Sequence, residues 1–153
     1  MKTIFITLFS LVAAGPIRNR PVKLYAKTGK FMSIRHTGSV KPVGSGKTAS
    51  LINIIPIGGE RGQFIMRGAV TGLFIRVKNN RLVGTPHQNH ATYFVEEMNV
   101  NNFNSYRLAD RPDCRLTILS KNFKIRCHAK IRMEKMSFLP RKSHMPRFGG
   151  FRV

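Results

Sequence analysis

The stretch Phe31-Met32-Ser33-Ile34 decides the fold, because its apolar-x-x-apolar frame occurs three times in the chain. It returns as Phe74-Ile75-Arg76-Val77 and again as Leu116-Thr117-Ile118-Leu119, at offsets of 43 and then 42 residues. Each copy is followed five or six positions later by another apolar residue, and later still by an apolar closing strand. Self-similarity at a period of this size indicates one supersecondary unit that is used several times.

Outside these frames, the chain consists of short runs of β-branched and aromatic residues separated by Gly, Pro and Asn, which predicts an all-β domain of about twelve strands. Helical periodicity is not sustained anywhere. The expected strands are 22–26, 31–35, 39–40, 51–56, 63–68, 73–78, 82–83, 93–98, 106–108, 115–120, 123–127 and 136–139. Three four-strand units of about forty residues predict a β-trefoil, in which the units close a short barrel and cap it with hairpins.

The chain is strongly basic, with 27 Lys and Arg against 6 Asp and Glu and a formal net charge of +21. The charge is dense between Lys121 and Lys142, where Glu134 is the one acidic residue. Like charge at this density is costly without an anionic partner. It predicts binding to nucleic acid, an anionic membrane or a sulfated glycan, and does not choose among them.

The first residues of the chain indicate the cellular compartment in which the protein is found. Met1-Lys2 is followed by an apolar run from Ile4 to Val12 and by the small residues Ala13 and Ala14, a pattern typical of a secretory signal peptide cleaved after Ala14. The run is shorter than the roughly 20 apolar residues of a membrane-spanning helix. We therefore expect a secreted, extracellular protein without membrane insertion, which favours a sulfated glycan over nucleic acid. The expected divisions are a signal peptide (1–14), a short segment (15–20), the trefoil domain (21–141) and a basic flexible tail (142–153).

The two cysteines, Cys114 and Cys127, flank an apparent hairpin. If its turn centres between Ser120 and Lys121, the cysteines face each other and can form a disulfide. If the turn centres on Lys121-Asn122, Cys114 faces Ala129, and a disulfide would be strained or impossible. The sequence leaves both alternatives open.

Catalytic chemistry is not indicated. Gly44-Ser45-Gly46-Lys47-Thr48 is similar to part of a phosphate-binding loop, but Lys41 stands where the first glycine is required and no helical pattern follows. The five histidines are scattered, without the helical spacing of a zinc site. We expect neither an enzyme nor a metal or other cofactor.

Several stretches resemble the core of the fibroblast growth factor family, in order along the chain from about Pro21 to Arg141. They are Lys23–Gly29, Phe31–Ile34, Thr37–Val40, Thr71–Val77, Leu82–Thr85, Phe94–Met98, Phe103–Tyr106 and Phe138–Arg141. Three departures accompany the resemblance. Thr92 stands where family members usually have Cys, Phe103 stands where Tyr is usual, and the last hairpin is shorter than usual.

The resemblance implies two binding surfaces. A heparan sulfate site would combine the first tight turn with the last hairpin, using Lys27, Thr28, Lys121, Asn122, Lys124, Arg126, Lys130, Arg132 and Lys135. A receptor site would use Tyr25, Glu96, Asn101, Asn102, Phe103, Leu139 and Arg141, an aromatic and apolar set with a polar rim, as at interface hot spots.

The function that the resemblance implies is a secreted growth factor-like ligand that binds heparan sulfate or heparin and activates a fibroblast growth factor receptor-type tyrosine kinase through its ectodomain. We expect a monomer that can dimerise on a glycan chain. The main alternative is a glycosaminoglycan-binding decoy or matrix protein without receptor activation, because Phe103 lacks the tyrosine hydroxyl. A trefoil lectin is disfavoured by the absence of Trp. A nucleic-acid-binding protein would require residues 1–14 to be retained inside the cell.

Overall fold

The computed structural model describes residues 21–57, 62–99, 102–128, 130 and 132–142, and structural statements below concern these residues. They form twelve strands and two 3-10 helices, Gln88–His90 and Met133–Met136. The strands are β1 (Val22–Ala26), β2 (Phe31–Ile34), β3 (Val40–Val43), β4 (Ile52–Pro56), β5 (Gln63–Gly68), β6 (Phe74–Lys78), β7 (Arg81–Thr85), β8 (Phe94–Met98), β9 (Asn104–Leu108), β10 (Cys114–Ile118), β11 (Phe123–Cys127) and β12 (Phe138–Lys142).

Antiparallel pairing closes six of these strands into a ring, in the order β1, β4, β5, β8, β9, β12 and back to β1. The other six form the hairpins β2–β3, β6–β7 and β10–β11. These hairpins contact one another, since Lys124 pairs with Arg81 and Ser39 bridges to Val83. The all-β class and the β-trefoil predicted from the repeat are confirmed.

Each repeated frame supplies the first strand of a hairpin. Phe31, Phe74 and Leu116 lie in β2, β6 and β10. Between β6 and β7, Asn79 and Asn80 both have positive φ, 53° and 59°. Asn tolerates this conformation, which a tight two-residue hairpin turn requires. The Asn80 carbonyl also accepts a hydrogen bond of 2.8 Å from a backbone N–H of β11, so this turn helps to join two hairpins.

The ring is filled by aromatic side chains from the second and third units. The Phe64 ring lies 6.0 Å from that of Phe94 and 5.4 Å from that of Tyr106, and the Tyr106 ring lies 5.8 Å from that of Phe138. The first unit adds buried aliphatic side chains, among them that of Leu24. Buried rings with offset or edge contacts dominate the energetics of such a core.

The first and last strands pair along their whole length, from Val22 opposite Lys142 to Ala26 opposite Phe138. The last strand was expected to begin at Met136, which is wrong, because Met136 ends a 3-10 helix. The Ser137 hydroxyl donates a hydrogen bond of 2.7 Å to the Met133 carbonyl and closes this turn. The strand therefore begins at Phe138 and continues through Lys142.

Candidate functional site

The turn between β1 and β2 is held in place by its backbone. Gly29 has a φ of 94°, and its N–H donates a hydrogen bond of 2.8 Å to the Ala26 carbonyl. A residue with a side chain is strained in this left-handed conformation. The Lys27 N–H donates a hydrogen bond of 2.9 Å to the Ser137 carbonyl. The turn is thus docked against the segment that precedes β12.

The hairpin β10–β11 has the register that places Cys114 opposite Cys127, and their sulfur atoms form a disulfide. This is the first of the two turn alternatives. The Leu119 N–H donates a hydrogen bond of 2.8 Å to the Asn122 carbonyl, which closes the turn. Lys121 therefore stands exposed within the turn itself.

A groove of about 410 Å³ lies between these two turns. We call it the first groove; its lining residues are Thr28, Lys30, Ile118, Leu119, Ser120 and Lys135. Lys30 Nζ donates a hydrogen bond of 3.1 Å to the Ser120 carbonyl, and Lys135 reaches the groove from the 3-10 helix. None of these described lining residues is acidic. Two cations beside hydroxyl groups can bind a sulfate or a phosphate.

The remaining cations of the expected heparan sulfate site spread away from this groove. Lys124 and Arg126 alternate with buried residues along β11, so both point away from the core. Lys124 lies opposite Arg81 of β7, and Arg126 lies opposite Arg115 of β10. These side chains extend the basic surface along the outside of the hairpin.

Three residues of the expected heparan sulfate site, Lys27, Lys130 and Arg132, lie outside the first groove. Lys130 and Arg132 are exposed, and an Arg132 guanidinium nitrogen lies 3.9 Å from a Glu134 carboxylate oxygen. Lys27 does not line the groove. Its Nζ lies 5.7 Å from the centre of the Phe103 ring, on the side of the expected receptor residues.

Tyr25, Leu139 and Arg141 are brought together by the pairing of β1 with β12. Tyr25 lies directly opposite Leu139. The Arg141 guanidinium lies 3.8 Å from the centre of the Tyr25 ring, and the Phe31 ring lies 5.1 Å away on another side. We call Tyr25, Leu139 and Arg141 the aromatic strip. A tyrosine held by a cation and a second ring has little conformational entropy to lose on binding.

Glu96 and Phe103 lie on the neighbouring hairpin β8–β9 and its turn. Asn104 Nδ2 donates a hydrogen bond to the Glu96 carboxylate. Burial raises the pKa of Glu96, and the hydrogen bond from Asn104 opposes this shift. The turn is closed by a hydrogen bond of 2.7 Å from the Asn99 N–H to the Phe103 carbonyl. Asn102 has a φ of 61° and is exposed. Asn101 lies outside the described residues.

Two residues of these surfaces were not predicted. Lys30 lines the first groove, and its position directly after the expected turn is the signal that could have found it. Met98 is 81% exposed at the end of β8, opposite Asn104. An exposed methionine beside Asn102 and Phe103 is typical of an interface. Met98 could have been found from its position at the end of the expected strand, where the alternation of buried and exposed side chains no longer requires an apolar residue to be buried.

The family model for fibroblast growth factor matches residues 20–139. The chain belongs to the fibroblast growth factor family. A search of curated proteins found no match to it. Fibroblast growth factors are signalling ligands that are mostly secreted, and they generally bind heparan sulfate and fibroblast growth factor receptors. The matched range includes the first groove and extends through Leu139 of the aromatic strip.

At two positions where this fibroblast growth factor departs from the family pattern, Thr92 and Phe103, the residue present makes a contact of its own. The Thr92 hydroxyl accepts a hydrogen bond of 2.8 Å from the Val77 N–H, so the residue in the usual cysteine position supports β6. Phe103 has no hydroxyl to donate, and its ring contacts the Lys27 ammonium instead. Lys27 is exposed, and a cation–π contact at an exposed site is worth about 0.5–1 kcal/mol.

The Gly44–Thr48 stretch of this fibroblast growth factor forms a loop between β3 and β4, in which the Thr48 N–H bonds to the Ser45 carbonyl at 3.2 Å. Within the described residues, no group of three or more His, Cys, Asp or Glu could hold a metal ion. None of the helices described is long and apolar enough to span a membrane.

Proposed function

We propose that this fibroblast growth factor is a secreted ligand that binds heparan sulfate and activates a receptor tyrosine kinase of the fibroblast growth factor receptor type. The observation that carries the proposal is the adjacency of two surfaces with different chemistry. The first groove is basic, with no acid among its described lining residues, whereas the aromatic strip is apolar with a charged rim. Lys27 lies between them. Its backbone N–H donates a hydrogen bond to the Ser137 carbonyl, and its ammonium lies over the Phe103 ring.

The basic surface suits a sulfated chain because its cations are clustered and are partly or fully exposed. Lys30 and Lys135 lie within the first groove, and Lys121, Lys124 and Arg126 continue outward along the hairpin. Sulfate oxygens accept charge-assisted hydrogen bonds from several such groups at once. Binding should release counterions and weaken steeply with salt, by analogy with phosphate polymers.

The aromatic strip suits a protein partner. Tyr25 is half-buried and braced by Phe31 and Arg141, so its ring is preorganised for docking. Tyrosine and arginine are enriched among the residues that contribute most to protein interfaces. Glu96 and the exposed Met98 lie on the adjacent strand β8 and extend the surface. A glycan and a receptor held on separate faces raise each other's effective concentration.

Secretion is supported by the signal-like residues 1–14, which lie outside the described residues, and by the disulfide between Cys114 and Cys127. Disulfides persist in oxidising compartments and are rare in the cytosol. N-terminal sequencing of protein collected from culture medium should begin at Gly15. Full-length protein retained in cells would contradict secretion and reopen nucleic acid as the partner.

The test of the whole proposal is receptor phosphorylation by residues 15–153, measured in receptor-bearing cells that lack heparan sulfate, with and without added heparin. We expect phosphorylation that depends on heparin. A protein that leaves a heparin column at low salt, or never triggers phosphorylation, would contradict the proposal.

The alternative, a glycan-binding decoy that does not activate the receptor, is favoured by one observation. Phe103 lacks a hydroxyl, and its ring is contacted by Lys27. Phe103→Tyr distinguishes the two functions. If wild type binds the receptor ectodomain without phosphorylation and Phe103→Tyr restores phosphorylation, the decoy function is correct. If wild type already triggers receptor phosphorylation, the decoy function is excluded.

A further inference from the structure

Met98 is the most exposed large hydrophobic residue in the part of the chain that the structure describes, at 81%. It is the last residue of β8, two positions after Glu96, and the alternation of the strand puts both side chains on one outer face. Its thioether is therefore open to solvent and to small reagents dissolved in it.

The other described methionines differ from Met98 in exposure. Met32 and Met66 lie in the core and are 0% and 1% exposed. Met133 is 53% exposed and Met136 is partly buried, both in the 3-10 helix before β12. Because oxidation of a thioether requires access by the oxidant, exposure predicts that Met98 reacts before Met133 and that the core methionines react last.

The position of Met98 gives its oxidation a structural consequence. Met98 lies directly opposite Asn104 in the pairing of β8 with β9. The Asn104 side-chain amide donates a hydrogen bond to Glu96, which lies on the same strand as Met98. Directly opposite residues have Cβ atoms about 5 Å apart, so an oxygen added to the Met98 sulfur can reach the same amide nitrogen. Oxidised Met98 would thus compete with Glu96 for Asn104.

We propose that Met98 is a reversible oxidation site, and that its sulfoxide lowers the affinity for the receptor. This proposal rests on the proposed function, in which Met98 extends the receptor surface. Hydrogen peroxide transfers an oxygen atom to the Met98 sulfur; the sulfur is oxidised and the peroxide is reduced to water. Methionine sulfoxide reductase reverses the step with electrons from a dithiol, so that the oxygen leaves as water and the dithiol becomes a disulfide.

The sulfoxide should affect the two surfaces differently. A methionine side chain is flexible and apolar and adapts to the surface of a partner. A sulfoxide oxygen must instead be removed from water when a partner covers it, which costs free energy unless a donor replaces the water. The first groove is lined by the turns after β1 and β10 and by Lys135, and Met98 is not among its lining residues. Heparin affinity should therefore not depend on Met98.

The test uses residues 15–153, the same protein as the receptor phosphorylation experiment. It is treated with hydrogen peroxide, and oxidised methionines are mapped by peptide mass spectrometry over time. Met98 should be converted before Met133, while Met32 and Met66 stay reduced. Receptor ectodomain affinity should fall about tenfold as the Met98 sulfoxide accumulates, while the salt concentration of elution from heparin stays unchanged.

Reversal is measured by adding methionine sulfoxide reductases A and B, because each reduces one sulfoxide epimer. Receptor affinity should return to its starting value. Protein that was never oxidised, given the same reductases, is the control. The Asn104 side-chain amide signals in NMR spectra should move on oxidation and return on reduction.

Two variants separate Met98 from the other methionines. Met98→Leu keeps an apolar side chain without an oxidisable sulfur, and Met133→Leu makes the same change at the other strongly exposed methionine. Each protein is compared with itself before and after peroxide. Met98→Leu should keep its own starting affinity, whereas Met133→Leu should lose affinity as wild type does. Oxidation of Met145 is common to all three proteins and cannot explain a difference between them.

Protection by the receptor is a second measurement, which does not depend on the size of the affinity change. With the ectodomain in excess, Met98 should be oxidised more slowly than in the free protein, because binding and oxidation oppose each other reciprocally. Met133, which lies outside the proposed receptor surface, should keep its rate. Equal rates for Met98 in the free and bound protein would overturn the proposal.

The remaining outcomes distinguish this proposal from the proposed function. Oxidation of Met133 before Met98, unchanged affinity after conversion of Met98, or an equal loss of affinity in Met98→Leu would overturn the oxidation site. Each of these results requires receptor binding before peroxide and so leaves the proposed function intact. Absence of receptor binding before peroxide would overturn both.

Discussion

The aromatic strip uses Tyr25 of β1 and the first groove uses Thr28 of the turn that follows β1, yet the two regions are built in different ways. The groove is made of turns, and its two lysines are long side chains among described lining residues that include no acid. The strip is made of paired strands, and register sets Tyr25 against Leu139 and under Arg141. A polyanion can be bound by charge that adds over several mobile groups, whereas a protein partner requires groups already in place.

The largest effect should come from removing the disulfide of the basic hairpin. Cys114→Ala with Cys127→Ala opens a loop with a sequence separation of 13 residues. We expect the free energy of unfolding to fall by about 3 kcal/mol, measured with urea. Heparin affinity should fall more than receptor affinity, because the disulfide lies in the hairpin that forms the basic surface. Wild type reduced with dithiothreitol is the control; a loss below about 1 kcal/mol would contradict this account.

The next effect should appear on the aromatic strip alone. Tyr25→Ala removes the ring that Arg141 and Phe31 hold. Receptor ectodomain affinity should weaken by about 2 kcal/mol or more, while the salt concentration of elution from heparin stays unchanged. Tyr93→Ala is the matched control, because Tyr93 is a partly exposed tyrosine that directly precedes β8 and lies outside the aromatic strip. Equal losses in the two variants would show that the strip has no special role.

A smaller and opposite result should follow in the first groove. Lys30→Ala with Lys135→Ala removes both of its cations. The slope of log affinity for heparin against log salt should become shallower by up to about 2. Receptor affinity measured without heparin should not change. The matched control Lys78→Ala/Arg111→Ala, which removes two exposed cations from outside the first groove, should change the slope less; an equal change would mean that only net charge matters.

The smallest effect concerns the ion pairs that join the hairpin β8–β9 to the hairpin of the first groove. Glu97 on β8 accepts hydrogen bonds from Arg107 Nε at 2.7 Å and Arg115 Nη1 at 2.6 Å, and thereby joins β8, β9 and β10. Burial alone would raise the pKa of Glu97, but the hydrogen bonds and charges of Arg115 and Arg107 outweigh it and hold the pKa below its usual value.

The lowered pKa of Glu97 determines how the stability of the protein should depend on pH. The stabilisation by Glu97 is present above the pKa of the unfolded state and is lost as pH falls through the lower pKa of the folded state. Glu97→Gln should therefore be less stable than wild type at neutral pH, by at most about 1 kcal/mol because the group is partly exposed. The difference should vanish on acidification, as followed by urea unfolding. A difference that persists at low pH would mean a packing effect instead.

The fold could be predicted from the sequence because its pattern is local and repeated. Phe31, Phe74 and Leu116 fall in the first strand of each hairpin, at the spacing that the repeat requires. The error at Met136 has a local cause that strand patterns do not contain, namely the Ser137 hydroxyl that closes a 3-10 helix. The register of the last hairpin was left open by the sequence, because it depends on where a single turn is centred.

The sequence indicates less about the arrangement of the two surfaces than about the fold, for a different reason. A run of cations identifies a basic face but not the direction in which each side chain points. Lys27, which is predicted for the glycan site, lies over the Phe103 ring, whereas Lys30, which is not in the predicted set, lines the first groove. Such choices depend on contacts between segments far apart in the chain, for example Lys30 with Ser120.

The pairing of Val22 with Lys142 has a consequence for protein engineering. Cross-strand partners lie about 5 Å apart, so a short peptide could join the two ends of the domain. The chain could then be cut open in an exposed loop such as Gly44–Lys47, with all twelve strands kept in their places. A circular permutant of this kind would move both free ends from the β1–β12 pair to the loop between β3 and β4, and any fused cargo would leave from that loop.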